Sequence, residues 1–396
     1  MNRSWPHQRP SCEIAAAIAA LGFSVPILID EDNRVIDGWA RVEAARRAGL
    51  TRLPCILAGH LNPAERRLLR LAINRLGEKG QWDLSALKLE VSELILDDTP
   101  LEIAGFSQLE VDQILLDEEP DAAETGPLEP NADLEAIARP GDLFALSRHR
   151  IACGDARDAE LLARLMAGES ARLVLTDVPY NVSIRGHVTG QNHREFAMAS
   201  GEMSADEFLA FNRTWIEKVW SCLVDGGVFG TFIDWRGYPS VHAAAIAIGL
   251  DPLNLIVWSK TNAGMGSLYR SAHELLPLYK KGTAAHVNNV ELGRHGRWRS
   301  NLWTYPGASS VGSDARQGLR LHPTVKPTAM IEDALLDLTD RGEIVLDPFL
   351  GSGSTVMAAE KAGRTCRGVE IDPMYVDVVL RRFEAATGTK AVRLNV

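Results

Sequence analysis

Apolar and polar positions repeat with two different periods along this chain, and the period changes at recognisable stops. In the C-terminal two thirds, short apolar runs of strand length recur between stretches with helical spacing. The runs are HRIACGD, ARLVLTD, GGVFGTFID, LNLIVWSK, HELLPLYKK, GEIVLDPF and RTCRGVEID. Runs that are apolar nearly throughout are buried on both sides. The alternation therefore predicts an α/β fold, a largely parallel sheet covered by helices on both faces. Several runs end in a carboxylate: Asp155, Asp177, Asp234, Asp347 and Asp372. Ligands of such sheets collect at the carboxyl ends of the strands.

The N-terminal third predicts a smaller α+β unit over residues 1–116. A helix-like segment at 11–21 is followed by strands VPILID (25–30) and RVIDG, joined by the acidic turn EDN. WARVEAARRAGL (39–50) has helical spacing and stops at Gly49; LPCILAG is a third strand, and a helical pattern starts at Pro63. Residues 117–135 hold eight acids and no Lys or Arg, so 117–136 reads as an acidic linker. The second unit spans 137–396.

Composition adds limits. The 46% apolar fraction suits a globular protein, and no run of about 18 apolar residues suggests a membrane span. The polar start and the mild IAAAIAALGF stretch do not make a secretory leader, so the expectation is a cytoplasmic protein. Five scattered cysteines without a CxxC pair argue against a zinc site, and no metal is expected. The net charge of −10 looks wrong for a protein that binds a polyanion. Residues 280–320, however, hold seven Lys or Arg against two acids, and local charge decides where a polyanion sits.

Two segments carry chemistry. In EIVLDPFLGSGST, a strand reaches Asp347 and passes Gly351 and Gly353 before a helix, and such glycines let a backbone approach a ligand. Glu370 ends the next strand, seventeen residues after Gly353, and suits the two hydroxyls of a ribose. Val356 stands where a GxGxxG dinucleotide fingerprint needs its third glycine, which counts against a dehydrogenase. The second segment is Asp177-Val178-Pro179-Tyr180. Asp177 can accept a hydrogen bond from an exocyclic amine, and the Val178 and Pro179 carbonyls are candidates for the second N–H. The nitrogen lone pair is thereby freed for attack on a methyl group, while Tyr180 stacks on an extruded base.

These motifs resemble those of the amino-directed (N6-adenine or N4-cytosine) DNA methyltransferases in their permuted order, over about 137–396. TDVPYN matches the catalytic motif, LDPFLGSGST the cofactor motif, and HPTVKP (322–327) the segment just before it; CGDA, WSK and GVEIDPMY match as well. The resemblance implies a Rossmann-like sheet that binds S-adenosylmethionine, with Asp177, Pro179 and Tyr180 catalytic. It implies Asp347, Phe349, Gly351, Gly353, Ser354 and Glu370 around the cofactor. Asp155 would lie near its adenine end, and Thr324 and Lys326 near its methionine end. The family usually has Pro where this chain has Val178. An Asp-first motif is more frequent in adenine enzymes, with cytosine N4 as the alternative. Cytosine C5 chemistry needs a cysteine nucleophile, and the only Pro-Cys pair, Pro54-Cys55, lies in the other unit.

Target-recognition insertions are expected at about 185–200 and 262–320. Within the second, Arg294, Arg297, Trp298 and Arg299 interleave cations with an aromatic ring and are the candidate contacts to double-stranded DNA. The permuted family often forms dimers, which makes a homodimer an expectation to examine. Residues 24–57 resemble the ParB/sulfiredoxin-like domain, Gly38 and Arg41 matching its phosphate-cradling turn and Trp39 and Ala40 departing from it. The resemblance implies a module that contacts DNA or a nucleotide. The competing function is a ParB-like DNA-binding regulator whose second unit only senses the cofactor.

Overall fold

A computed structural model of the chain describes residues 10–78, 83–96, 101–104, 106, 108–115, 130, 136–181, 201–260, 268–290, 292, 299–305 and 326–394. The chain divides into two compact units, Met1–Asp117 and Glu118–Val396, at the start of the acidic stretch. Of that stretch, only Pro130 and Ala136 are among the described residues. Among the described residues no helix is long and apolar enough to cross a membrane.

The first unit holds a three-stranded sheet of β1 (Ile27–Ile29), β2 (Val35–Asp37) and β3 (Cys55–Leu57), in the order β2-β1-β3. Its helices are α1 (Pro10–Leu21), α2 (Trp39–Arg47), α3 (Pro63–Glu78), α4 (Leu84–Leu96) and α5 (Gln108–Leu115). The β1–β2 turn closes on Asp30, whose carboxylate accepts the Asp32 and Arg34 amides at 3.0 and 2.8 Å. Gly38 opens α2 with φ 100°, and a Cβ there would meet Ile27 Cγ2 at 2.7 Å. That close approach explains the glycine. Arg41 donates from Nη2 to Asp37 at 2.9 Å.

The second unit is built on one ten-stranded sheet. Its first strands are β4 (Leu143–Leu146), β5 (His149–Cys153), β6 (Ala171–Asp177), β7 (Leu223–Phe232) and β8 (Leu250–Lys260). β9 (His273–Lys281), β10 (Leu302–Tyr305), β11 (Ile344–Asp347), β12 (Thr365–Glu370) and β13 (Val392–Leu394) complete it. The spatial order is β10-β8-β9-β7-β6-β11-β12-β5-β4-β13.

Successive residues of the strands point to opposite faces, and two cores record this. Leu173, Leu175, Val345 and Cys366 enter one core, with α9 (Thr328–Leu338), α10 (Ser354–Lys361) and α11 (Pro373–Thr387). Val174, Leu346 and Val369 enter the other, with α6 (Ala159–Met166), α7 (Ala205–Cys222) and α8 (Tyr238–Ile248). The helices start at local signals. Ser204 and Glu207 form a reciprocal capping box on α7, and Asp158 and Asp372 cap α6 and α11.

Two expectations need correction. The sheet is parallel only at its centre, from β7 to β5, and in the β8–β10 pair; β9 runs antiparallel to both neighbours, and β4 and β13 are antiparallel additions at the other edge. Strand direction is set by connections, which apolar runs do not reveal. The span 262–320 is not wholly an insertion, since 273–281 and 302–305 are strands of the central sheet. The segment 185–200 lies outside the described residues.

The central strands create the crevice. From β6 the chain passes through α7 to β7 on one side, and from β11 it passes through α10 to β12 on the other. The carboxyl ends of β6 and β11 thus flank a topological switch point. Beneath it lies Trp215 of α7, fully buried, 5.5 Å from Phe229 and 5.2 Å from Phe349 between ring centroids, with its Nε1 donating to Asn212 at 3.0 Å. Trp215→Ala should cost about 3–5 kcal/mol. Urea unfolding followed by circular dichroism checks this, and a loss below about 1 kcal/mol would contradict the packing described.

Candidate active site

The loop after β11 is folded by its own acid. Asp347 is buried, and its carboxylate accepts hydrogen bonds from the Thr176 hydroxyl, from the Thr355 hydroxyl at 2.6 Å and from the Phe349 amide at 3.1 Å. Burial pushes the Asp347 carboxyl up to about 6 against those bonds. These bonds make the Asp347 carboxylate the fastener of the loop that follows β11. Phe349 is partly buried against Trp215 and Phe211, with centroids 5.2 and 6.2 Å apart. It braces the loop on α7.

The two glycines do different things. Gly353 (φ 87°) lies against α11, where a Cβ would meet Val379 Cγ1 at 2.9 Å. Gly351 (φ 55°) has nothing within 4 Å of a Cβ position, so open space lies above it. Ser354, the first residue of α10, is buried.

Glu370 borders the same space. Its Oε2 accepts the Gly351 amide at 2.8 Å and its Oε1 accepts the Asp372 amide at 2.8 Å. Each oxygen keeps a further lone pair for an incoming hydroxyl. Burial pushes this carboxyl up to about 7. Asp155, just beyond β5, is clamped by Arg157, whose Nη2 donates at 2.6 Å and whose backbone amide donates at 2.8 Å. Burial works against the charged Asp155, but the Arg157 bonds outweigh it and hold its carboxyl below the ordinary range. The open glycine and the pre-oriented carboxylate form a cradle that fits a nucleoside such as the adenosine of S-adenosylmethionine.

At the end of β6 stands a cluster of charges. Lys326 donates to Asp177 Oδ2 at 2.6 Å, lies 3.2 Å from Glu274 Oε2 and is 6% exposed. The Tyr180 hydroxyl lies 2.8 Å from Asp177 Oδ1 and 2.9 Å from Glu274 Oε2. Lys260, the last residue of β8, donates to Glu274, the second residue of β9. The β8–β9 register places Glu274 opposite Trp258, which brings these ends together.

Burial raises the Asp177 carboxyl, and Glu274 adds repulsion that one shared lysine does not cancel. Burial also acts to raise Glu274, but Lys326 and Lys260 outweigh it and hold that carboxyl at about 2. Lys326 is raised despite its burial because it faces two anions. Burial pushes the Tyr180 hydroxyl far up, so it stays a phenol.

Consecutive residues of β6 join the two halves. The Thr176 hydroxyl bonds Asp347 and accepts the Phe349 amide at 3.2 Å, while Asp177 enters the charged cluster. Val178 is buried in the core on the α7 face, and Pro179 is partly buried. Asn181, with φ 54°, donates to the Met203 carbonyl at 2.7 Å and accepts the amides of Gly201 and Met203 at 3.1 Å.

Of the expected site residues, the structure brings Asp177, Tyr180 and Lys326 together on one side and Gly351, Gly353 and Glu370 on the other. Lys326 sits with Asp177. Thr324, Arg294, Arg297 and Trp298 lie outside the described residues. Arg299 is already engaged within the unit: its guanidinium pairs with Asp333 at 2.7 Å and Asp337 at 2.9 Å and lies 4.8 Å from the Trp303 ring centroid. These contacts fasten β10 to α9. Glu274 and Lys260 were missed. Their signal was a lone Glu at the head of an apolar run and the lysine of WSK.

The two glycines should separate experimentally. Gly353→Ala meets both the left-handed backbone cost, about 1–2 kcal/mol, and the Val379 contact, so it should lower folding stability by more than about 2 kcal/mol. Gly351→Ala should cost about 1–2 kcal/mol from the backbone alone while obstructing the cradle. Denaturation and calorimetric titration with S-adenosylmethionine compare them. Equal stability losses would contradict the assignment.

The family described as DNA methylase matches residues 171–381, more than half of the chain. The type II methyltransferase M2.DpnII of Streptococcus pneumoniae is 28% identical over 236 residues, covering 57% of this chain and 86% of its own. The cytosine-N4-specific PvuII DNA methyltransferase superposes with a TM-score of 0.46 at 19% identity, over 60% of this chain and 87% of its own. The M1.HpyAVI–SAM complex gives a TM-score of 0.43 at 20% identity, over 59% of this chain and 98% of its own. With the match over 171–381, the chain belongs to the DNA methylase family, the N6/N4 methyltransferases that use S-adenosylmethionine.

Proposed function

We propose that the second unit methylates the N6 amino group of adenine in double-stranded DNA, with the base turned out of the helix. The observation that carries this reading is the placing of Asp177. Its half-buried carboxylate stands at the switch point, one residue beyond the threonine that holds the cofactor loop. When bound, S-adenosylmethionine supplies an electrophilic methyl group. Glu370 and the space over Gly351 would hold its ribose, and Asp155 would lie toward its adenine. Asp177 would accept a hydrogen bond from the target amine and turn the nitrogen lone pair toward the methyl group. Tyr180, fixed through its hydroxyl, would pack against the base.

Adenine is preferred over cytosine because the motif begins with Asp177, as is more frequent in adenine enzymes. Arg294, Arg297 and Trp298, within the basic span 280–320, are assigned to the DNA backbone and bases. Two exposed aromatics support this approach, since Trp235 follows β7 and Tyr269 precedes β9 at the same edge of the sheet as Asp177. For the first unit we infer a ParB-like module that positions DNA. The Gly38 turn and the 60% exposed Trp39 support that reading, whereas Arg41 is already paired with Asp37.

Purified protein given labelled S-adenosylmethionine and duplex DNA should yield N6-methyl-2′-deoxyadenosine on digestion to nucleosides. Asp177→Asn should lower kcat by about 10²–10⁴ and leave cofactor affinity within about threefold. Label at cytosine C5, or full activity in the variant, would contradict the proposal. Label at cytosine N4 would keep the chemistry and change the base.

Cofactor binding should depend on pH through Glu370. Ribose hydroxyls donate to the ionised carboxylate, so affinity should rise as pH climbs through about 7, roughly tenfold from about pH 6 to about pH 8. Stability has the opposite sign. Because the folded carboxyl is raised, its contribution is full below the ordinary glutamate range and is lost as pH rises through about 7. Calorimetry across this range should show the slope in the wild type and a flat profile in Glu370→Gln.

A further inference from the structure

The charged cluster contains a group that the reaction above leaves without a role. Glu274 is 13% exposed and contacts the Tyr180 hydroxyl at 2.9 Å, Lys326 at 3.2 Å and Lys260. The arrangement around Asp177 and Glu274 is two-sided. Lys326 stands between the two carboxylates, 2.6 Å from one and 3.2 Å from the other. The Tyr180 hydroxyl also stands between them, at 2.8 and 2.9 Å, and with one proton it can donate to only one at a time. Two lysines balance two carboxylates.

Methyl transfer disturbs this balance. The amine nitrogen forms a bond to the methyl carbon, and the carbon–sulfur bond breaks with its electron pair left on sulfur. The nitrogen then carries a positive charge until it loses a proton. Asp177 is the carboxylate at the end of β6 where that amine docks. If Asp177 takes the proton, it becomes neutral, and Glu274 is then the anion that keeps Lys326 from being a buried ammonium without a partner. An unpaired buried charge is strongly unfavourable.

We propose that Glu274 is the positioning residue that allows Asp177 to accept the amine proton: as Asp177 is protonated, Lys326 and the Tyr180 hydroxyl pass to Glu274. This rests on the reading of Asp177 given above. The charged groups that face Asp177 are Lys326, Tyr180, Glu274 and, across the β6–β11 strand ends, Asp347. Lys260 faces Glu274. Their effects divide the labour. Burial and the repulsion of Glu274 raise the Asp177 carboxyl toward accepting a proton, whereas two lysines keep Glu274 ionised. Paired carboxyls with environments that push them apart mark the acceptor and the permanent anion.

The test is the pH profile of kcat for the full chain with Glu274→Gln. Without the second anion, Lys326 binds Asp177 alone and Asp177 becomes a weaker base. The limb of kcat on the acidic side should move down by about one pH unit, and the plateau should fall about 100-fold. KM for DNA and Kd for S-adenosylmethionine should stay within about threefold of wild type. Glu274→Asp keeps the charge, and should leave the limb in place and recover most of kcat. If Glu274→Gln does not fold, the double variant E274Q/K260Q removes the charge while keeping the cluster neutral, and should show the same shifted limb.

Wild-type kcat and an unmoved limb in Glu274→Gln would overturn the proposal. So would a lowered kcat with an unmoved limb, which is what a purely structural role gives. Asp177→Asn separates the two readings. If it is fully active, the assignment of Asp177 fails; if it is inactive while Glu274→Gln is normal, only the role of Glu274 fails.

Discussion

Two carboxylates, both largely shielded from solvent, stand side by side at the carboxyl end of β6, and two lysines are set against them to balance their charge. Asp177 and Glu274 would each be costly alone in such a place. Lys326 and Lys260 compensate them, and Tyr180 links them through its hydroxyl. The requirement reaches back into the fold. Glu274 can meet Asp177 only because β9 runs antiparallel beside β7, which brings its first residues to the carboxyl ends of the parallel strands. Lys260 can meet Glu274 only because β8 ends there too. The cluster and the strand order are one solution to one electrostatic problem.

The cofactor half follows a different principle. Its two acids, Asp347 and Glu370, are neutralised by hydrogen-bond donors rather than by cations. Threonine hydroxyls and the Phe349 amide serve Asp347, and the Gly351 and Asp372 amides serve Glu370. Burial therefore leaves both carboxyls raised, at about 6 and about 7. An uncompensated positive charge near the sulfonium of a cofactor would repel it, and amides avoid that. Residues 176 and 177 tie the halves together, Thr176 bonding to the loop acid Asp347 and Asp177 to the cluster lysine Lys326.

Much of this was legible in the sequence. The apolar runs located seven strands of the second unit, and their terminal acids located the functional edge, because burial and strand length leave a direct imprint on composition. Gly351, Gly353 and Glu370 were legible as a group because a strand-to-helix turn with positive φ demands glycine and a strand-end acid stands out from an apolar run; the Gly351 amide does donate to Glu370. The antiparallel course of β9 was not, since an apolar strand looks the same in either direction. The short strands β4, β10 and β13, at or next to the sheet edges, lacked the length to stand out. Arg299 was read as a DNA contact among arginines, and the acids that pair with it, Asp333 and Asp337, lie more than thirty positions along the chain. Glu274 escaped for the same reason. Its partners come from β6, β8 and the segment before α9, and only the folded sheet unites them. Lys326 was expected near the cofactor's methionine end, and its ion pairs with Asp177 and Glu274 are what the sequence did not reveal.

The central claim is that this site delivers a methyl group to an exocyclic amine. Long-read modification mapping of DNA from cells that express the full chain tests it most directly, because it reads the altered base and its surroundings together. The account predicts N6-methyladenine at one recurrent sequence context, absent from cells expressing Asp177→Ala. Unmodified DNA from cells with folded wild-type protein, or modification confined to cytosine C5, would contradict it.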